Sequence, residues 1–186
     1  MKKFYSFLFS ACCVMAAFTL FSCSDPNEED LEEKEKEKDK NKIEYIDFKE
    51  PYLIRGGNED DIKAWMAKNM PEYELNSEEI EGSIFYYHKG NNTGTIMYQF
   101  YKNRLFDVMV SGTYRVEEVL DFLDKKYGDK ELSSSDTYSD VVTEMYDYSH
   151  PNADGIESIA VVHIYGVGTM ARTYPESVAV AYYFGI

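Results

Sequence analysis

The sequence predicts an α+β fold in which two α-β-β-β units form one antiparallel sheet with both helices packed on one face. Three observations point there. Ile62, Trp65, Met66 and Met70, and later Val116, Val119, Leu120, Leu123 and Tyr127, recur at helical spacing. Each set is followed by short runs of alternating apolar and polar residues between turn signals. Aromatic residues make up 16% of the chain, with 17 Tyr, which is too rich in core formers for a disordered protein and suits strands with one oily face.

The elements follow in order. The folded domain is expected over 43–186, as sub-repeats 48–112 and 113–186. Pro51 biases Glu50 away from helix, so 50–53 reads as an extended lead-in. Gly56-Gly57 breaks the chain. Asn58 then caps the first helix, with Glu59, Asp60 and Asp61 placed where negative charge meets the positive dipole end. Pro71 stops it. Strands are expected at 84–88, 95–101 and 105–110, with turns at Gly90-Asn91-Asn92 and Lys102-Asn103. Ile96, Tyr98, Phe100, Phe106, Val108 and Val110 form their more apolar face. Thr113 is the expected cap of the second helix, and Gly128 sits where a C-terminal glycine belongs. Residues 131–140 read as polar loop, and 141–148, 159–165 and 177–184 as three further strands.

The segment before the domain has a different character. Lys2 and Lys3 precede an apolar run to Phe21, and Ser22 precedes Cys23, the pattern of a signal peptide over 1–22. Leu20-Phe21-Ser22-Cys23 resembles the lipobox of bacterial lipoproteins. That resemblance implies cleavage before Cys23, acylation of its thiol and new N-terminus, and durable attachment to a membrane, each buried methylene contributing about 0.8 kcal/mol. Residues 23–42 are Glu/Lys-rich with Leu31 as the one large apolar residue, a solvated tether. Asp25 and Glu28-Glu29-Asp30 resemble the surface-export signal of Bacteroidota-type lipoproteins, which implies an outer-membrane location exposed at the cell surface. A periplasm-facing location is the alternative.

Charge and cysteine placement exclude several functions. With 34 acidic against 19 basic residues, the net charge of −15 lacks the basic footprint of a nucleic-acid binder. Cys12, Cys13 and Cys23 all precede the domain, which therefore holds no disulfide, thiolate metal site or cysteine nucleophile. His88, His150 and His163 form no HExxH spacing. His163, beside Ile164, reads as a packed histidine. The run His150 to Gly155 echoes a calcium loop, but His150 would stand at its first position and Val161 at its twelfth, where carboxylates belong. Asp136 and Asp140 read as solvated loop carboxylates rather than a glycosidase pair. No GxSxG, SxxK or phosphate loop occurs, and Gly166-Val167-Gly168 opens no helix. No enzyme, cofactor or metal is expected.

One strand face must meet the helices, and the other is left over. The leftover set includes Tyr87, Gln99, Tyr101, Asp107, Met109, Asp147 and Tyr183. Tyr and Met among polar groups suit recognition, since Tyr supplies contact area at low entropic cost. The helix-and-strand order behind a lipobox resembles the β-lactamase inhibitory protein-like fold and small outer-membrane assembly lipoproteins. Pro51-Tyr52-Leu53-Ile54-Arg55-Gly56 is similar to Bacteroidota lipoproteins that often carry Trp-Gly where Arg55-Gly56 stands. The resemblance implies a sheet used to bind protein. The expected function is a lipid-anchored, non-enzymatic binding module of the cell envelope with an envelope protein as partner. A carbohydrate-binding accessory lipoprotein is the alternative.

Overall fold

Asn58 starts the first helix as expected: its side-chain oxygen accepts the Asp61 N–H at 2.9 Å, opening α1 (Glu59–Asn69). The structure is a computed structural model that describes residues 44–76, 80–91, 93–149, 151, 155–172 and 175–184. The signal peptide, Cys23 and the tether lie outside the described residues, as do His150 and 152–154 of the calcium-like run. Eight strands follow: β1 (Tyr73–Leu75), β2 (Ser83–His88), β3 (Thr95–Tyr101), β4 (Arg104–Gly112), β5 (Glu131–Tyr138), β6 (Val141–Tyr148), β7 (Ser158–Gly166) and β8 (Ser177–Tyr183). Between β4 and β5 runs α2 (Val116–Tyr127). The class is α+β, with one antiparallel sheet in the order β1-β2-β3-β4-β8-β7-β6-β5.

Three expectations are corrected. Each helix precedes four strands, not three. The short β1 was unread, and 131–140, expected as loop, forms β5 and its turn. Every β5 side chain is exposed, so the strand is held by backbone pairing to β6 and carries no apolar alternation. Ser139 and Asp140 make its turn at φ of 49° and 63°, left-handed values that short polar side chains tolerate. Phe106 leaves the core face because β4 bulges there. Phe100 pairs with Leu105 while Gln99 pairs with Asp107, so Leu105 takes the buried place. Thr113 does not cap α2. It is buried and bonded to Thr93 at 2.7 Å, and the cap residue is Arg115, with no side-chain bond. The Val116 N–H instead reaches a carboxylate oxygen of Glu176 at 3.1 Å, supplied from sixty residues along the chain.

The core lies on one side of the sheet. Ile96, Tyr98, Val108, Val110, Val161, Val180 and Tyr182 project from it onto Ile62 and Met66 of α1 and Val119 and Leu123 of α2. Fully burying such side chains stabilises by roughly 1.5–3 kcal/mol each. Trp65 is half-buried, edge-on to Tyr52 at 6.0 Å. The lead-in packs on this same side. Phe48 meets Tyr114 and Phe122, and the Tyr52 N–H donates to the Tyr98 hydroxyl at 3.2 Å. Buried hydroxyls cost free energy unless paired. Tyr73 and Tyr114 pair at 3.1 Å, Tyr148 donates to Asp124 at 2.7 Å and Tyr127 to Glu50. The Tyr182 hydroxyl alone among these has no hydrogen-bond partner.

Candidate functional site

The side of the sheet opposite the helices is built by strand register. Directly paired residues share a face. Phe85, Met97, Met109, Ala181 and Ala160 therefore form one row across five adjacent strands. At about 4.8 Å per strand the row is about 19 Å long. Beside it runs a polar row, Ser83, Gln99, Asp107, Tyr183 and Ser158. On its other flank lie Tyr87, Thr95, Ser111, Ala179, Val162 and Met145. Met109 and Ala160 are buried by their row neighbours yet stand apart from the helix-side core cluster. Neither α1 nor α2 packs on this face, and the short 3-10 helix Gly168–Arg172 lies against its end at Gly166.

All six residues expected on this face share it. Tyr87 pairs with Thr95, Gln99 with Asp107, Asp107 with Tyr183, Met109 with Met97 and Ala181, and Tyr101 with Arg104. Their exposure differs. Tyr87 and Tyr101 are 43% and 46% exposed, whereas Met109 at 8% is closed in by its neighbours. Lys102 places its ammonium 5.1 Å from the Tyr101 ring centre. Asp147 also lies here, opposite Ala160. The reading missed Phe85, Met97 and the three small alanines. Their signal was parity: Met97 lies two residues before Gln99, and Phe85 two before Tyr87.

Asp107 is the chemically distinctive group. Burial pushes its carboxyl up to about 7, against the one favourable contact from the Val108 backbone. Its row neighbours are neutral, Gln99 on β3 and Tyr183 on β8. Its carboxyl forms no ion pair with a lysine or arginine among the described residues.

Other constellations serve the fold. His163 is buried on the helix side, stacked on Tyr165 at 4.5 Å. Its Nδ1 lies 3.3 Å from Glu144, and its Nε2 3.1 Å from Glu176 without hydrogen-bond alignment. The two carboxylates meet opposite ring nitrogens, so they brace β6, β7 and the start of α2 rather than converge on one ion. No cluster of His, Cys, Asp or Glu among the described residues could hold a metal. Asp136 is satisfied by the Thr137 N–H at 2.8 Å and Asp140 by the Thr169 hydroxyl at 3.2 Å. A shallow depression of about 320 Å³ lies between Glu44, Asn91, Thr113 and Pro175, but Thr93 bonds both Asn91 and Thr113, leaving those groups satisfied. No family model, curated protein or solved structure matches the chain.

Proposed function

We propose that this chain is a lipid-anchored, non-enzymatic binding module of the bacterial cell envelope, whose sheet face opposite α1 and α2 takes a protein partner. The observation that carries the reading is the apolar row Phe85-Met97-Met109-Ala181-Ala160, flanked by polar and aromatic side chains. Apolar centres with polar rims are the usual anatomy of interfaces, and methionines adapt their shape to a partner. The anchor rests on the sequence at Cys23. Carbohydrate binding is the second reading, favoured by half-exposed Tyr87 and Tyr101. Tyr87 stands opposite Thr95, six residues along β3 from Tyr101. At about 3.3 Å per residue that separates them by about 20 Å, too far to grip one sugar ring together.

Two experiments test the two parts. Cys23→Ala should release the protein from the membrane fraction, and full retention of a cleaved Cys23→Ala chain would contradict the anchor. Pull-down with the full chain should recover one envelope protein that Met97→Asp fails to recover. Equal recovery by wild type and Met97→Asp would place any partner elsewhere.

A further inference from the structure

The apolar row suits a covering partner, and Asp107 bears on what chemistry that partner would carry. A carboxylate whose row neighbours are neutral loses its water when a partner closes over it, which is unfavourable unless a cation meets it. Asp107 stands at the middle of its five-strand row, between Gln99 and Tyr183, next to Met109 of the apolar row. Of the cations at this face, Lys102 lies over the Tyr101 ring, and Arg104, across from Tyr101, makes no ion pair with Asp107, while Lys49, Lys63, Lys125, Lys126, Lys130 and Arg115 pair with other carboxylates. No second acid shares the row, so a divalent metal would find one carboxylate only, and an organic cation is the better match. The chain as a whole, with 34 acidic and 19 basic residues, favours a basic partner as well.

Resting on the reading of this face as a partner surface, we infer that the partner is a protein segment presenting a lysine or arginine to Asp107 from among apolar side chains. The apolar side chains lie along the row from Phe85 to Ala160, and the cation enters beside it. An arginine fits this setting especially well: its planar fork matches a carboxylate, and its face stacks on an aromatic such as Tyr183.

The test uses the full chain in lipid nanodiscs and a library of random peptides displayed on phage. Met97, Met109 and Met145 lie on the open face, while Met66 and Met70 lie in the core. Carbon-13-labelled methionine methyls therefore report where a selected peptide binds. Wild type should select apolar peptides with Lys or Arg at a fixed position, shifting Met97 and Met109 but not Met66. Asp107→Asn should weaken those peptides by at least about tenfold, as loss of one member of a desolvated pair does, while melting no lower than wild type at neutral pH. Peptides that shift Met97 and Met109 yet carry no fixed cation and bind Asp107→Asn equally would overturn the inference and leave the face as a partner surface. Selected peptides that leave both methyls unmoved, or no enrichment over an unrelated protein, would overturn the face reading and the inference with it.

Discussion

Asp107 and Tyr183 face each other across the junction of β4 and β8, the one pairing that joins β1–β4 to β5–β8. The carboxyl is thus far from either sheet edge, walled by cross-strand neighbours rather than by a helix. That placement yields a pH dependence. With its folded value near 7, Asp107 keeps a proton in the folded chain after the unfolded chain has released it. Stability contributed by this group therefore falls as pH rises from the ordinary carboxylate range through about 7. Asp107→Asn should match wild type near pH 4 and exceed it in melting temperature at pH 8. Identical pH profiles for the two proteins would contradict the desolvated setting.

Tyr101 and Leu123 should separate surface from core. Tyr101 is nearly half exposed on the open face, and Leu123 is 0% exposed on the buried side of α2. Tyr101→Ser should change unfolding free energy by no more than about 0.5 kcal/mol. Leu123→Ala should cost roughly 2–5 kcal/mol. Chemical denaturation of both variants checks this, and comparable losses would mean that the open face is a second core layer.

Lys126 offers a finer test of α2. It lies off the apolar stripe but pairs with Glu50, which also accepts the Tyr127 hydroxyl and holds the lead-in to the helix end. The pair is partly exposed, so Lys126→Ala should cost no more than about 1 kcal/mol. A loss as large as that of Leu123→Ala would show that the lead-in depends on this one ion pair.

Glu176 should behave as a cap delivered from a distance. Glu176→Ala leaves the Val116 N–H without its acceptor, and removal of such caps costs about 0.5–2 kcal/mol. Glu176→Gln, which keeps an acceptor oxygen, should lose less. Equal stability of all three proteins in urea denaturation would show that the contact contributes nothing.

What the residues reveal of this fold depends on how local each cause is. The stripe of α2, the Asn58 cap and the alternation of β3 are local, and each is legible. β5 is not, because both its faces meet solvent and Glu131 to Tyr138 carry no periodic apolar signal. The cap of α2 is hidden because its acceptor, Glu176, lies sixty residues along the chain, past β5, β6 and β7, while Thr113 offers a local substitute that the fold uses elsewhere. The bulge at Phe106 shifts parity by one residue, which alternation alone cannot foresee. The open face was legible by the same parity, since Gln99, Tyr101 and Met109 fall opposite the core set. The burial of Asp107 was not, because it depends on the packing of neighbouring strands, among them β8, which the sequence places far away.

The most direct measurement is site-specific photo-crosslinking of the full chain in the cells that produce it. A photoreactive amino acid replaces Tyr87 or Tyr101 on the open face, or Glu117 on the exposed surface of α2. Both open-face positions should yield the same discrete protein adduct, lost in the Asp107→Asn background, and Glu117 should yield none. An adduct from Glu117 alone, or equal adducts from all three positions, would contradict the sheet face as the partner surface.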